Sequence, residues 1–397
     1  MRGDLRKVSR RGFLKRAAAT VGALGLGAAA APAQEQKPLP KRPLPPTDLE
    51  VSVIGFGTEF LQGPEVIEYC IERGVNYIDT AANYQKGNAE RQLKPILARH
   101  KDKNLIVGTK VRGERDGNFT KQDFLDEFNR CCERMGVEGV DIFFLHDRRS
   151  AKEVYYPGAY EAFQEVHAQG RARWFGMSTH LRQVECVNKA IELGWFHVLL
   201  VAYHFMSSPA ETEALIKARK AGMGIMTMKA VKALSAGRDW FPRATEKQKQ
   251  RLKDIEAPNL FQAAIRWNLM HDFCSCVVLC MMSYKEAEMD LPAAFGEITA
   301  AEKEALRLYA EAMHNQVCRA CGACQDVCPQ GLAIPTIMRY LDYFKGYGAV
   351  HRAIAAYRGL PPERTYAACL RCGACEEACP YGLPIPRRLE EAHKLMA

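Results

Sequence analysis

From Val51 to about residue 300 the chain alternates short, nearly continuous apolar runs with longer segments whose apolar positions recur every three or four residues. The runs predict strands at 51–57, 75–81, 105–111, 140–145, 172–178, 197–203, 224–228 and 275–281. The periodic segments predict helices between them, including 64–73, 122–135, 159–169, 184–193, 212–221 and 259–271. Continuous apolarity suits strands covered on both faces, and intervening helices supply the crossovers of a parallel sheet. Eight such units in about 250 residues is the arithmetic of a (β/α)8 barrel. A doubly wound sheet uses the same alternation, but its glycine-rich fingerprint is missing, because no helix-opening glycine follows Gly55-Phe56-Gly57-Thr58. Past residue 300 the pattern changes to short helices, at 334–344 and 349–357. The expected fold class is therefore α/β: a TIM barrel over 48–300, then a small, mostly helical domain over 301–397.

Composition alters this picture only at the N-terminus. Hydrophobic residues make up 48% of 397 and charged ones 25%, ordinary globular values. The formal charge of +9 includes +6 from residues 1–33, where seven basic side chains accompany one acid, Asp4. The remaining chain carries only +3, which removes the case for a nucleic-acid partner. Ser9-Arg10-Arg11-Gly12-Phe13-Leu14-Lys15, the soft apolar run 17–31 and Ala31-Pro32-Ala33 resemble a twin-arginine (Tat) signal peptide. That resemblance implies export by the Tat machinery, hence a periplasmic or extracytoplasmic site, with membrane anchoring if the signal is retained. Residues 34–47, with five prolines, are expected to be an extended linker.

Fifteen cysteines are an odd count for a disulfide framework. Eight form two runs, Cys318-x2-Cys321-x2-Cys324-x3-Cys328-Pro329 and Cys369-x2-Cys372-x2-Cys375-x3-Cys379-Pro380. This is the bacterial ferredoxin spacing, in which the fourth cysteine of each run reaches the other cluster. Two [4Fe–4S] clusters are expected: one on Cys318, Cys321, Cys324 and Cys379, the other on Cys369, Cys372, Cys375 and Cys328. Thiolate zinc sites and disulfides are the competing readings. The other seven cysteines, including Cys274, Cys276 and Cys280, fit the core as small hydrophobes.

In a barrel of this kind, chemistry belongs at the C-terminal strand ends. Asp79 ends the second predicted strand and Tyr84 follows in its loop; Lys110 closes the third and His146 the fourth. A phenol flanked by a cation and a carboxylate is a candidate proton donor, and His146 is placed to orient a carbonyl oxygen. Arg148 and Arg149, directly after His146, read as surface charge, with contact to an anionic substrate as the alternative, and 233–255 as an insertion at the catalytic face serving as a lid or a domain contact.

Gly74-Val75-Asn76-Tyr77-Ile78-Asp79-Thr80-Ala81-Ala82-Asn83-Tyr84, Gly87, Glu90, Gly108-Thr109-Lys110 and Asp141-Ile142-Phe143-Phe144-Leu145-His146 resemble the aldo-keto reductase superfamily over about 48–300. With its flanks the chain resembles the Tat-exported, ferredoxin-bearing branch. The resemblance implies carbonyl/alcohol chemistry with NADP(H), a catalytic set of Asp79, Tyr84, Lys110 and His146, and coenzyme contacts at Gly57, Thr58, Asp79, Ser178 and Lys229. The coenzyme side departs from the family pattern. The usual Ser-Asn after the fifth strand is Ser178-Thr179-His180, and the expected Gln is Leu200. The Asn after Tyr203 is His204, and the aromatic platform is Met228. The Pro-Gly turn is Cys280-Met281-Met282-Ser283, with Lys285 the only cation near the 2′-phosphate position.

Two functions follow. The first is an exported oxidoreductase acting on a small carbonyl or alcohol, with Tyr84 as acid and a redox partner protein feeding or draining the clusters. The second is an iron–sulfur electron-transfer protein whose barrel is a docking scaffold. Clusters that merely staple the C-terminus are a third, minor reading.

Overall fold

The computed structural model describes residues 37–114, 118–237, 250 and 259–397. The segment 1–33, with its Tat-like motif, and most of the 233–255 insertion lie outside the described residues.

A hairpin of β1 (Lys41–Pro43) and β2 (Glu50–Ser52) precedes eight parallel strands. These are β3 (Ile54–Gly57), β4 (Tyr77–Asp79), β5 (Ile106–Val111), β6 (Val140–Arg148), β7 (Ala172–Thr179), β8 (Val198–Ala202), β9 (Gly224–Met228) and β10 (Cys274–Leu279). They close into a barrel in sequence order, with β10 pairing both β9 and β3. Helices follow the strands and pack outside, as the alternation of patterns predicts. Tyr77, Ile142, Phe144, Val198, Leu200, Met226 and Cys276 form part of the buried cluster inside the barrel.

The proline-rich stretch expected as a linker is extended but docked. Leu44 is fully buried beneath the barrel, and Arg42 donates to the carbonyls of Cys274 (2.8 Å) and Leu269 (2.9 Å). Helix Ala300–Ala312, which sequence reasoning grouped with the C-terminal domain, packs on the barrel helix Leu260–Leu269, with Arg266 2.5 Å from Glu302.

Helices Ile334–Lys345, Val350–Arg358 and Ile385–Met396 build a second core around Leu341, Tyr357 and Leu389. Phe60, from the loop after β3, is part of that core, and Cys280 and Met282 pack against it. The small domain therefore sits on the mouth of the barrel, at the catalytic end. Among the described residues no helix is long and apolar enough to cross a membrane.

Candidate active site and cluster domain

The barrel gathers the four strand-end residues. Asp79 is the last residue of β4, Lys110 is next to last on β5, and His146 lies on β6. Lys110 Nζ is 2.6 Å from Asp79 Oδ2, donates to Thr80 O at 2.6 Å and lies 3.4 Å from Tyr84 Oη. Tyr77 donates to the other oxygen of Asp79 at 3.1 Å. The rings of Tyr84 and His146 meet edge to face at 5.6 Å. The Tyr84 loop is held by carrying the strand ladder onward: Thr80 N bonds to Gly108 O, Ala82 N to Lys110 O, and Tyr84 N to Ala81 O.

Burial sets the protonation states. It pushes the Tyr84 phenol well above its usual range, helped by the negative charge of Asp79 and Glu59. Burial drives His146 well below the ordinary histidine value, and the neighbouring Lys110 ammonium acts in the same sense. Asp79 is raised by burial, against the opposing pull of Lys110. At neutral pH the site holds a neutral phenol beside a neutral imidazole and a buried ion pair. That arrangement gives up a proton to an oxygen gaining charge and presents a neutral polar ring to the same oxygen.

Gly57, Asp79, Tyr84, Met228, Lys229, Cys280 and Tyr347 line one cavity open to solvent at this mouth. Gly57 is needed there, since a Cβ would sit 2.9 Å from Cys280 Sγ. Cys280, assigned to the core from sequence, thus faces the site.

The residues implied as coenzyme contacts are mostly engaged by the protein itself. Thr58 donates to Asp79 O at 3.0 Å, and Ser178 accepts from Asp147 N at 3.0 Å. Lys229 is half-buried, its backbone in the left-handed region (φ 65°), 3.5 Å from Glu59 and 3.3 Å from Tyr343 Oη. The rings of Phe60, Tyr343 and Tyr347 surround its ammonium at 5.7, 4.7 and 5.3 Å. Lys285 is exposed. With Met228 as platform, Lys229 caged, and Tyr347 set into the cavity, these residues do not fit a nicotinamide dinucleotide laid along this face.

Arg148 corrects the surface-charge reading: it is fully buried, because β6 runs on past His146. Its guanidinium folds back onto the carbonyls of His146, Arg112 and Glu153. Arg149 and Arg339 grip Asp147 at 2.9 and 3.2 Å, joining barrel to small domain. Glu59, Phe60, Tyr343 and Tyr347 escaped sequence reasoning. No local pattern marks them, since Phe60 meets Tyr343 and Tyr347 only through domain docking.

The eight C-terminal cysteines lie on two loops with the same backbone. Ala320 and Arg371 both have φ 55°, and Gly322 and Gly373 follow at 89° and 81°. This turns amides inward: Arg371 N donates to Cys369 Sγ at 3.4 Å. The thiols group across the repeats. Cys324 is raised by burial and then by Cys318, Cys321, Cys379 and Cys375, whereas Cys375, pushed up to about 11 by burial, neighbours Cys369, Cys328 and Cys372. Cys328, Cys369, Cys372 and Cys375 line a cavity of about 360 Å³ walled by Leu332, Ile334 and Leu389. All fifteen cysteines are free thiols, so the disulfide reading falls. The paired loops fit thiolate-held iron–sulfur chemistry, and the nearness of Cys379 to Cys324 and of Cys328 to Cys375 is what an exchange of fourth ligands between the runs requires.

Residues 59–307 match the sequence model of the aldo/keto reductase family, and residues 317–384 match that of a 4Fe-4S dicluster domain. The chain is 23% identical over 189 residues to the D-threo-aldose 1-dehydrogenase of a Pseudomonas species, covering 41% of this chain and 57% of that enzyme. It is 24% identical over 286 residues to the pyridoxal 4-dehydrogenase of Microbacterium luteolum, covering 59% of this chain and 80% of the relative. Against the NADH-specific methylglyoxal reductase of Escherichia coli it is 24% identical over 213 residues, covering 46% and 64%. The chain thus spans little more than half the length of the first of these relatives. The barrel superposes on an aldo-keto reductase of Bacillus halodurans in its holo form with a TM-score of 0.59 at 21% identity, covering 69% of this chain and 97% of that one.

Proposed function

Because the chain belongs to the aldo/keto reductase family and carries a 4Fe-4S dicluster domain on its barrel mouth, we propose that it interconverts a small carbonyl compound and its alcohol with electrons passed through the clusters. The observation that carries this reading is the buried set Lys110, Asp79 and Tyr84 beside His146, in a cavity partly closed by Tyr347 of the cluster domain.

In the reducing direction Tyr84 Oη gives its proton to the carbonyl oxygen. Lys110, 3.4 Å away, steadies the phenolate left behind, and Asp79, 2.6 Å from its Nζ, holds it in place. Neutral His146 holds the oxygen in place without competing for the proton. A carbonyl takes two electrons and two protons to become an alcohol: Tyr84 gives the oxygen its proton, and the carbon would take its hydrogen with the electron pair, as hydride, from a two-electron carrier of flavin type, which one-electron clusters held by the eight C-terminal cysteines would recharge. A redox partner protein would load or drain them. The residues near the coenzyme positions favour this supply over free NADP(H).

Replacing Tyr84 by Phe tests the reading. Carbonyl reduction by chemically reduced protein should fall about 10²- to 10⁴-fold, the usual contribution of a positioned acid, while cluster spectra stay unchanged. Equal rates in both proteins would favour the second reading, an electron-transfer protein whose barrel is a docking scaffold. The caged Lys229 and covered coenzyme face support that alternative. We also propose export by the Tat route, on the strength of Ser9-Arg10-Arg11 and the apolar run that follows. Fractionation of cells expressing the full chain and an Arg10→Lys, Arg11→Lys form tests it.

A further inference from the structure

Behind Lys229 and Tyr347, which also border the cavity of Asp79 and Tyr84, lies a second, solvent-open chamber. Barrel and cluster domain share its walls. His180 and Lys229 come from the barrel, whereas Arg319, Arg339 and Tyr347 come from residues beyond the part matched to the reductase family. The barrel wall, His180, His204 and Lys229, occupies positions on the family's coenzyme side, and the appended domain adds Arg319, Arg339 and Tyr347, which that family does not supply.

Its lining is strongly basic. Arg149, Lys229, Lys232, Arg319 and Arg339 all face it. Among the described residues Asp147 meets Arg149 and Arg339, Glu59 meets Lys229 and Asp342 meets Lys232, whereas Arg319 pairs with no carboxylate. Among the described residues the buried donors Arg319 Nε, Arg339 Nε and Tyr347 Oη lack an acceptor, and Asp342 Oδ2 in the same lining lacks a hydrogen-bond donor, with Lys232 3.6 Å away. Buried donors are normally satisfied, so three at one cavity call for a ligand rich in acceptor oxygens, and the carboxylate-free Arg319 calls for that ligand to be negative. His180 adds no charge, since burial drives it well below the ordinary value. The chamber also touches the first cluster loop: Arg319 and Ala320 lie between Cys318 and Cys321, and Lys232 donates to Cys318 O at 2.8 Å.

We propose that this chamber binds the acidic group, a carboxylate or a phosphate ester, of the oxo compound whose carbonyl lies at Tyr84. This deepens the carbonyl reading above and rests on it. The substrate class becomes small anionic carbonyl compounds, with the charged end held beside the first cluster and the carbonyl end reaching past Lys229 to the tetrad.

The test is calorimetric titration of the oxidised, cluster-loaded full chain with oxalate and, separately, inorganic phosphate. One site per chain is expected for at least one of them, oxalate identifying a carboxylate and phosphate a phosphate ester. Arg339→Gln should weaken that anion about tenfold, the loss of one charge-assisted contact. Tyr347→Phe, which removes only a hydroxyl, should weaken it about threefold by the same reasoning. Anion binding should also move the midpoint potential of one cluster to a more negative value, with no carbonyl present. No binding by either anion, equal affinity in both variants, or displacement of the anion by NADPH would each overturn the proposal. Tyr84→Phe should bind the anion unchanged. Anion binding that persists in a protein unable to reduce any carbonyl would therefore sustain the chamber while removing the tetrad reading.

Discussion

Lys110 Nζ and Asp79 Oδ2 lie 2.6 Å apart at the barrel mouth, both side chains almost wholly withdrawn from water. Removing one member leaves the other as an uncompensated buried charge. Lys110→Met and Asp79→Asn should each cost about 3–5 kcal/mol of stability, and the double variant should recover part of that loss. Denaturant unfolding of the three variants checks this.

The buried histidines set the acid limit. His146, His180 and His204 are all lowered by burial, His204 to about 3. In the unfolded chain they take up protons below about pH 6.5. The folded state resists this, so their contribution to stability is intact above that pH and is lost as pH falls through the depressed folded values. Melting temperature should decline steadily below pH 6.5, and His204→Gln should flatten part of the decline.

Tyr84 works in the opposite range. Its phenol is raised well above 10, so it remains protonated through neutral and mildly alkaline pH. The rate of carbonyl reduction should show no loss from phenol ionisation up to about pH 9. Stability should fall only above pH 10, where unfolded tyrosine ionises and the folded residue does not. A pH–rate profile of the parent protein measures the first, and alkaline unfolding of Tyr84→Phe beside the parent measures the second.

An exchange of fourth ligands between the two runs has a specific consequence. Cys379 neighbours Cys324 of the other run, and Cys328 neighbours Cys375. Cys379→Ser should therefore damage the cluster of Cys318, Cys321 and Cys324, leaving that of Cys369, Cys372 and Cys375 intact. Iron content should fall by up to about half. Paramagnetic resonance of reduced Cys379→Ser and Cys328→Ser, paired with single replacements in each run, identifies which cluster each one alters.

Phe60 joins the domains, stacking on Tyr347 at 6.0 Å and meeting Tyr343 edge-on at 5.3 Å. Phe60→Ala should cost about 3 kcal/mol and loosen the cluster domain from the barrel. Limited proteolysis should then cut the chain near 312–317 faster than in the parent.

The barrel strands were legible because each is a continuous apolar run, and β9 begins and ends where the pattern says. The tetrad was legible because strand ends have fixed positions in the chain. Arg148 was misread for a related reason: β6 extends three residues past its apolar run, carrying a guanidinium inside to bond carbonyls. The caged Lys229 and the basic chamber were out of reach. Both arise from packing between Phe60 or Lys229 and residues more than a hundred positions away, which no local periodicity encodes. The ferredoxin spacing announced the clusters but not the surface on which their domain sits.

The most direct measurement is a single turnover without oxygen. Cluster-loaded protein, reduced and freed of excess reductant, is mixed with small aldehydes and 2-oxo acids while the visible cluster band is followed. The band should return with at least one carbonyl, one alcohol should form for every two electrons, and Tyr84→Phe should stay bleached. A band that stays bleached with every carbonyl, or returns equally fast in Tyr84→Phe, would contradict it.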